Sequence, residues 1–268
     1  MNGAGNDFLL INNLEEHIPP ADLPRIARTL CHRRLSIGAD GLMAVDAPEQ
    51  GGDFKMLFFN ADGSAGEMCG NGARCICRYG YERGLAGEVQ RVESPSGLVT
   101  GRRIDRRNYC IRLTDPTCIQ LDRPLSQDGA LYSCSYIELG TPGLPHLVVP
   151  FETLSATTPD ALRPLAAALR SHPSLPKGAN VNFCQITGPD QVLALTYERG
   201  VEDFTLACGT GTASLVLALT KQGLVSGQDV AVTVPGGLLR VTVSEGDALY
   251  LTGPTNIVCE GEVTDEEL

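Results

Sequence analysis

The sequence predicts a mixed α/β fold made of two similar halves, each a mixed sheet wrapped around a central helix. The chain has 268 residues, which is more than the roughly 150 of one typical domain. The pattern C-G-x-G occurs at Cys69 and again at Cys208, 139 residues later. Around each of these cysteines, short apolar segments accompany two helical patterns. Together these observations favour duplicated α/β units.

The same 139-residue offset relates further landmarks. They are Gly84 with Gly223, Gly97 with Gly236, residues 20–23 with 159–162, and residues 6–10 with 145–149. Apolar residues with helical spacing also correspond, namely Leu23, Ile26 and Leu30 with Leu162, Leu165 and Leu169. Several landmarks at one offset indicate duplication rather than chance.

Each half contains five predicted strands, because β-branched and large apolar residues are concentrated there. The predicted strands are residues 8–12, 42–46, 55–60, 89–93 and 109–113, then 147–150, 182–187, 192–197, 230–234 and 238–243. Thr158 followed by Pro159 predicts the start of one helix. The segment after Cys208 is apolar nearly all round, which predicts a buried helix.

Residues 114–135 are rich in Pro, Asp, Ser and Gly, and we interpret them as the connection between the halves. The expected domains are residues 1–120, which contain Cys69, and residues 121–252, which contain Cys208.

Composition narrows the possible partners. The net charge of −11 and the low aromatic content of 5% argue against nucleic-acid binding and against an anionic membrane surface. The sequence has no long apolar run and no signal-peptide pattern, so we expect a cytoplasmic protein. In a reducing compartment most cysteines are small buried residues. We expect this of Cys31, Cys75, Cys77, Cys110, Cys118, Cys134, Cys184 and Cys259.

The C-G-x-G pattern carries chemistry if it opens a helix. A sulfur at a helix N-terminus lies near N–H groups and a dipole that favour negative charge. At Cys69 and Cys208 this favours the thiolate and allows the adjacent backbone to bind a carboxylate. Because the motif occurs in both halves, we expect the two sulfurs to face each other across a cleft. One thiolate would remove a proton from a carbon and the other thiol would protonate the opposite face, which inverts the carbon without a cofactor.

Other chemistries are less well supported by the sequence. A zinc site would need paired C-x2-C or H-E-x-x-H spacing, and a nucleotide site a Walker or full G-x-G-x-x-G motif. The sequence has none of these. Its three lysines lie outside any motif typical of a pyridoxal enzyme. A redox switch between the two cysteines stays open. We therefore expect no metal and no cofactor.

Further segments accompany the two cysteine motifs. They are Gly5-Asn6-Asp7-Phe8, Ile37-Gly38-Ala39-Asp40-Gly41, Asn60-Ala61-Asp62-Gly63-Ser64, Met68-Cys69-Gly70-Asn71-Gly72-Ala73-Arg74, Gly178-Ala179-Asn180-Val181-Asn182-Phe183, Tyr197-Glu198-Arg199-Gly200 with Ala207-Cys208-Gly209-Thr210-Gly211, and Leu251-Thr252-Gly253-Pro254. Taken together, nearly end to end, the sequence resembles the diaminopimelate epimerase family of cofactor-independent amino-acid epimerases and racemases.

The resemblance implies two pseudo-symmetric halves with strongly curved sheets, a homodimer, and a C-terminal strand at 253–268 that joins the first half. It implies Cys69 and Cys208 as the acid/base pair and LL-diaminopimelate as the substrate, converted to the meso form. The substrate-binding residues it implies are Asn6, Asn60, Gly70, Asn71, Asn180, Glu198, Arg199, Gly209 and Thr210. The chemistry agrees, since Arg199 can bind a distal carboxylate through two hydrogen bonds and Glu198 can accept one from an ammonium group.

Three departures affect this expectation. Leu144 stands where the family has a substrate-contacting asparagine, Asn2 where it often has histidine, and Gly41 where some members have glutamine. His146 retains the family histidine, and we hypothesise that it helps to set the protonation state of a nearby cysteine. Because of Leu144, the alternative that the protein is a racemase for another polar amino acid stays open. An alternative of a different class is a non-catalytic amino-acid-binding protein.

Overall fold

The computed structural model describes residues 1–66, 69–264, 266 and 268. They form two compact units. Unit 1 comprises Met1–Ile111 and Gly253–Leu268, and unit 2 comprises Arg112–Thr252.

Unit 1 contains short helices and a mixed sheet. Its elements are β1 (Asn2–Gly3), β2 (Asn6–Asn12), α1 (Asn13–Glu16), α2 (Leu23–Leu30), β3 (Gly41–Asp46), β4 (Phe54–Asn60), α3 (Gly70–Glu82), β5 (Val89–Ser94), β6 (Gly97–Arg103) and β7 (Asn108–Arg112). The strands lie in sequential order. β2 pairs with β3 and β4 with β5 in parallel, and the other neighbours are antiparallel.

Unit 2 repeats this plan with a longer edge. Its elements are β8 (Pro116–Gln127), β9 (Ala130–Leu139), β10 (Leu144–Pro150), a 3-10 helix (Leu154–Ala156), α4 (Pro159–Arg170), β11 (Asn180–Gly188), β12 (Gln191–Glu198), β13 (Asp203–Thr205), α5 (Gly209–Lys221), β14 (Val230–Val234), β15 (Gly237–Val243), a 3-10 helix (Glu245–Asp247) and β16 (Leu249–Pro254). The strand order is β8-β9-β10-β11-β12-β14-β15-β16, with β13 beside β12.

The two units share one topology, which confirms the predicted duplication. In unit 2, β10 pairs with β11 and β12 with β14 in parallel, whereas β11–β12, β14–β15 and β15–β16 are antiparallel. The corresponding pairs of unit 1 have the same relative strand directions, in the order β2–β3, β4–β5, β3–β4, β5–β6 and β6–β7. Helices α3 and α5 are related by the same 139-residue offset as their cysteines.

The longer helix in each unit lies inside a curved sheet. Helix α3 contacts β1, β2 and β6, and α5 contacts β9, β10, β11 and β15. Each helix therefore touches strands near both ends of its sheet's strand order, which requires the sheet to curve around it. Residues on α5 are buried from Gly211 to Leu219, as its apolar composition predicts.

The shorter helices cover the opposite, apolar faces. On α2, Leu23, Ala27 and Leu30 are buried against Leu42 and Ala44 of β3. Helix α4 starts as predicted, because Thr158 Oγ1 accepts from the Ala161 N–H at 3.3 Å. Its buried residues Leu162, Ala166 and Leu169 belong to a cluster with β10, β11 and β12. No helix in the described part of the chain is long and apolar enough to span a membrane.

The segment predicted to be the connection between the halves is instead a β-hairpin. Residues 114–135 contain β8 and half of β9, which pair through a two-residue turn at Asp128 and Gly129, both with positive φ. An Asp-Gly turn is typical of hairpins, and β8 tolerates Pro124 because it is an edge strand. The hairpin belongs to unit 2, so the division falls after Ile111 rather than after residue 120.

Residues 253–268 group with the first half in unit 1, but the expectation that they form a strand over this range is wrong. The strand ends at Pro254, and the residues that follow contact the rest of unit 1. Asn256 exchanges two backbone hydrogen bonds of 2.8 Å with Asn2, and the Thr255 N–H donates to the Arg107 carbonyl at 2.8 Å. Cys259 is exposed in this segment, so the expectation that it is buried is wrong.

Candidate active site

Both motif cysteines are the N-cap residues of their helices. Cys69 has extended backbone angles (φ −110°, ψ 117°) before α3, and Cys208 has nearly the same angles (φ −112°, ψ 110°) before α5. Cys69 is half-buried and Cys208 is 9% exposed. Met68, which precedes the first cysteine in the motif, lies outside the described residues. The predicted placement of a thiol at a helix N-terminus therefore occurs once in each unit.

The sulfur of Cys208 caps its own helix. The Gly211 N–H donates to Cys208 Sγ at 3.4 Å, and Thr210 Oγ1 lies 3.6 Å from the same sulfur. The Thr212 hydroxyl donates to the Cys208 carbonyl at 2.8 Å. Because an N–H at the positive end of the helix dipole points at the sulfur, this environment favours negative charge on it.

The second glycine of each motif lets the helix end pack closely. A Cβ on Gly211 would lie 2.1 Å from Asn182 Oδ1, and a Cβ on Gly72 would lie 2.5 Å from Met43 Cε. Gly211 is therefore required by its contact with the sheet, whereas the contact at Gly72 is with the end of a flexible side chain. The sequence alone suggested only close approach of a ligand.

In unit 1, a chain of polar contacts connects α3 to the start of β2. Asn71 Nδ2 donates a short hydrogen bond to Asn6 Oδ1, and Asn6 Nδ2 donates to Asp40 Oδ2 at 3.1 Å. Arg74 Nη2 donates to Asn71 Oδ1 at 2.9 Å. The structure thus brings together two predicted substrate-binding residues, Asn6 and Asn71, and adds Arg74 and Asp40 to them.

Charged residues hold the loop that supplies Asp40. The Arg33 guanidinium donates to both carboxylate oxygens of Asp7 at 2.8 and 2.6 Å and to Asp40 Oδ1 at 2.8 Å. Burial raises the pKa of Asp7, but the hydrogen bonds and charge of Arg33 outweigh this and leave the pKa below its ordinary value. The carboxylate of Asp40, which accepts the hydrogen bond from Asn6, is therefore itself held in place by Arg33.

Asn60 lies at the same end of the unit 1 sheet. Strand register places Phe8 beside Gly41 and Gly41 beside Asn60. The Asn60 amide donates to Ser64 Oγ at 2.9 Å, within the turn that the Asn-Ala-Asp-Gly segment predicts. Asn60 is exposed and shares this sheet end with the start of β2.

In unit 2, the corresponding sheet end holds Asn180 and Arg199. The side-chain oxygen of Asn180 accepts from the Arg199 N–H at 2.8 Å, and its Nδ2 donates to the Pro145 carbonyl at 3.3 Å. Asn180 is 5% exposed. These contacts leave one amide hydrogen and one oxygen lone pair of Asn180 for another partner.

Arg199 and Glu198 follow on the same strand end. Arg199 Nη1 donates to the Lys177 carbonyl at 2.8 Å, and Lys177 is itself held by two contacts of 3.0 and 3.1 Å to Glu138. Within the described residues Arg199 forms no salt bridge. Its guanidinium therefore has donors available for an anion, whereas Glu198 Oε1 accepts from the Thr205 hydroxyl at 2.6 Å.

Beneath α5 lies a buried polar cluster that sequence reasoning missed. Thr196 Oγ1 donates to Asn182 Oδ1 at 3.0 Å, and Asn182 Nδ2 lies 3.2 Å from the Leu147 carbonyl and 3.4 Å from His146 Nδ1. A polar Asn182 inside an otherwise apolar predicted strand was the available signal.

His146 is fully buried and neutral. Burial lowers its pKa to about 3, with a contribution from the charge of Arg199. Nδ1 lies 3.4 Å from the Asn182 amide nitrogen, and Nε2 has no hydrogen-bond partner among the described residues. The charged form of His146 is therefore excluded near neutral pH, which restricts the hypothesis for this residue to a neutral donor.

The other cysteines differ from the two N-cap residues. Burial raises the pKa of Cys75, Cys77, Cys134 and Cys184 to about 12 and that of Cys31 to about 11. These thiols are protonated at neutral pH, as expected for small core residues. Cys118 is only half-buried. Among the described residues, no group of three or more His, Cys, Asp or Glu side chains is placed to hold a metal ion.

Solved structures that share this fold include amino-acid racemases and epimerases. A hydroxyproline epimerase from Agrobacterium vitis with bound trans-4-hydroxy-L-proline has a TM-score of 0.65 to this chain and 18% identity, covering 94% of this chain and 86% of that one. A probable proline racemase from Agrobacterium radiobacter has a TM-score of 0.62 with 16% identity, covering 88% and 81%. At these identities the likeness shows the fold alone.

The family follows from sequence comparison. The model of the family described as Diaminopimelate epimerase matches residues 1–110 and 140–258. Diaminopimelate epimerases from Archaeoglobus fulgidus and Aquifex aeolicus are each 37% identical to this chain; the alignments cover 100% of it and 96% and 98% of those proteins. The chain belongs to the diaminopimelate epimerase family and is an amino-acid epimerase. The alternative of a non-catalytic binding protein is thereby set aside.

Proposed function

We propose that this epimerase converts LL-diaminopimelate to meso-diaminopimelate by proton transfer between two cysteines, Cys69 and Cys208. The observation that carries the proposal is the repeated N-cap cysteine, one at the start of α3 and one at the start of α5. The family relatives of matching length support the choice of substrate.

In the proposed step, one cysteine thiolate takes the α-proton and becomes a thiol. The electron pair left on the α-carbon is delocalised into the substrate carboxylate, and the other cysteine thiol gives its proton to the opposite face of the carbon. The second cysteine ends as a thiolate, so protons and charge balance over one turnover. Inversion requires this arrangement, because a single base returns the proton to the face it came from.

The helix N-termini supply the groups that stabilise the developing charge. The first N–H groups of a helix have no partner within it, and we assign those at Gly70 and Asn71, and at Gly209 and Thr210, to the α-carboxylate. Negative charge grows on that carboxylate as the α-proton leaves, and donors already in place stabilise it without reorganisation.

The remaining substrate groups are assigned to polar residues at the two sheet ends. Arg199 suits a distal carboxylate, because its guanidinium forms no salt bridge among the described residues and can bind two oxygens at once. Glu198 suits an ammonium group. Asn6, Asn60 and Asn180 would complete the set through amide hydrogen bonds.

His146 would act as a neutral donor in this proposal. Its Nε2 atom is buried without a hydrogen-bond partner among the described residues, which is costly unless a ligand or a reaction intermediate uses it. His146→Ala would then lower the turnover rate without displacing the pH–rate profile, because a group with a pKa of about 3 does not titrate near neutral pH.

A second candidate substrate follows from Leu144. This half-buried residue begins β10, and a leucine offers no hydrogen bond where the family has an asparagine. A racemase for another polar amino acid is therefore the alternative within the same class. We also propose, from the family resemblance, that the enzyme is a cytoplasmic homodimer.

The test is isotope incorporation in D2O under reducing conditions, with diaminopimelate and a panel of other amino acids. We expect LL-diaminopimelate to give a first product fully deuterated at the α-carbon, because the incoming proton comes from a thiol that has exchanged with solvent. Protium retained in that product would refute the two-base mechanism. Exchange only with another amino acid would select the alternative substrate.

Cysteine variants, with an exposed cysteine as the control, test which thiols transfer the protons. Cys69→Ala and Cys208→Ala should each abolish inversion, whereas Cys259→Ser, which changes an exposed cysteine, should remain active. Full activity in either alanine variant would contradict the assignment.

A further inference from the structure

The two cysteine helices differ at one buried position. Arg74, in the second turn of α3, is 0% exposed and is among the largest fully buried side chains. The repeat offset relates it to Ala213 on α5, which is also 0% exposed. A cation therefore lies beside the start of one helix and a methyl group beside the start of the other.

The guanidinium of Arg74 turns back toward the start of α3. Nη1 donates to the Gly70 carbonyl at 3.3 Å and Nη2 to Asn71 Oδ1 at 2.9 Å. Nε has no hydrogen-bond partner among the described residues. No described carboxylate forms a salt bridge with Arg74.

This placement is unfavourable unless an anion compensates it. A buried charge loses its hydration, and a cation at a helix N-terminus is repelled by the dipole. Burial lowers the pKa of Arg74, and the neighbouring thiols of Cys75, Cys69 and Cys110 act in the opposite direction. An arginine nevertheless remains charged in a protein.

Of these three thiols, only Cys69 is suited to carry the compensating charge. Burial raises the pKa of Cys75 to about 12, so this thiol is neutral. Cys110 lies on β7 rather than at a helix N-terminus. Cys69 is half-buried and lies at the helix N-terminus.

Other charged groups near α3 have partners or act elsewhere. The N-terminal ammonium donates to the Phe8 carbonyl at 2.8 Å and influences Cys75. Arg78, one turn further along α3, donates to the Thr255 carbonyl at 2.8 Å and pairs with Glu82 at 3.5 Å.

We propose that Arg74 is a positioning residue that stabilises the thiolate of Cys69, so that the two repeat-related cysteines are chemically unequal. The Gly211 N–H that donates to Cys208 Sγ also favours a thiolate there, but it is a neutral donor, whereas Arg74 places a full positive charge beside the start of α3. Cys69 is then the residue that holds the negative charge in the resting enzyme, and Cys208 holds the proton.

This inference rests on the proposed function, in which both cysteines transfer protons. Arg74 also fixes the side chain of Asn71 through its hydrogen bond to Oδ1, and Asn71 in turn contacts Asn6.

The experiment measures alkylation by iodoacetamide as a function of pH, with each cysteine followed separately by peptide mass spectrometry. Cys259, which is exposed, is the internal standard for reagent reactivity. The pH of half-maximal rate is compared rather than the rate itself, because accessibility scales the rate without moving this midpoint. In the wild-type enzyme we expect a lower midpoint for Cys69 than for Cys208.

Variants isolate the charge. Arg74→Met should raise the Cys69 midpoint by about one pH unit or more, the size typical of one adjacent charge, whereas Arg74→Lys should keep it low. Arg78→Met removes a buried cation from the same helix and should leave the Cys69 midpoint in place. Circular dichroism verifies folding, and the wild-type comparison remains decisive if Arg74→Met does not fold.

Three outcomes would overturn the proposal. The first is a wild-type alkylation midpoint for Cys69 that is not below that of Cys208. The second is an unchanged Cys69 midpoint in Arg74→Met accompanied by a raised KM. The third is a Cys69 midpoint in Arg74→Lys as high as in Arg74→Met. The second would assign the charge to substrate binding, and the third would assign the effect to the Asn71 contact. Alkylation needs no substrate, so failure of the proposed reaction would be seen separately in the D2O experiment.

Discussion

Gly211→Ala should destabilise the protein, whereas the repeat-related change Gly72→Ala should not. A Cβ on Gly211 would lie 2.1 Å from Asn182 Oδ1 and 3.2 Å from Cys208 Sγ. Asn182 cannot move aside freely, because its amide is bonded to Thr196 and to the carbonyl of Leu147. A Cβ on Gly72 would instead meet Met43 Cε at 2.5 Å, the far end of a flexible side chain.

The expected magnitude follows from these contacts. Overpacking a core costs about 1–3 kcal/mol, and each buried polar group left without a partner costs about 1–3 kcal/mol. Replacing glycine by alanine in a helix regains up to about 1 kcal/mol. With mid-range values for these contributions, Gly211→Ala should lose about 3 kcal/mol, and Gly72→Ala should stay within about 1 kcal/mol of the wild type.

Urea unfolding followed by circular dichroism measures both changes. With a slope of about 3 kcal/mol per molar urea, a loss of about 3 kcal/mol lowers the midpoint by about 1 M. The same variant should also lose activity, since the new methyl group crowds the Cys208 sulfur. Equal stability of the two variants, or a Gly211→Ala protein as stable as the wild type, would refute the argument from Asn182.

Three further changes probe the unit 2 site. The pKa of His146 is lowered to about 3 from about 6.5 in the unfolded chain, so the unfolded chain binds the extra proton and stability falls as the pH decreases through this window. Without this histidine, the free energy of unfolding of His146→Leu should fall less steeply on acidification, by about 1.4 kcal/mol per pH unit. If the urea midpoints of His146→Leu and the wild type changed equally between about pH 4.5 and about pH 7, this expectation would be contradicted. Thr196→Val deletes the hydroxyl that donates to Asn182 at 3.0 Å and should cost about 1–3 kcal/mol in urea unfolding, whereas Thr196→Ser should cost less; equal losses would rule out the hydrogen bond as the cause. Arg199→Lys should raise KM for diaminopimelate about tenfold, because lysine cannot bind a carboxylate through two parallel hydrogen bonds, and an unchanged KM would remove Arg199 from the distal carboxylate.

The regular elements were predictable where local chemistry decides them. Thr158 before Pro159 marked the start of α4, and the glycines after Cys69 and Cys208 marked the starts of α3 and α5. Strands β8 and β9 were missed because Pro, Asp and Ser are typical of loops. At an edge such residues are tolerated, since only one side of the strand must be paired.

Within the site, the sequence pointed to individual residues but not to their partners. Asn6 and Asn71 were both predicted, yet their mutual contact depends on how α3 packs against β2. Arg74 was not among the predicted site residues, since nothing local shows that its guanidinium is buried without a salt bridge to a described carboxylate. Asn182 was overlooked, because its importance comes from the approach of Gly211.

The sequence by itself determined the duplication and the chemistry of each helix start. The duplication is visible because corresponding residues of the two halves keep one constant offset in the sequence. The chemistry is local because a cysteine followed by glycines at the start of a helix places its sulfur beside N–H groups that have no partner within the helix, wherever the helix lies. Tertiary structure alone decided which polar groups meet and which charges are buried. Parallel pairing of β2 with β3 and of β10 with β11 brings together residues more than thirty positions apart. Burial then makes His146 neutral and leaves Arg74 charged without a salt bridge to any described carboxylate, because hydration is lost only once the chain has packed.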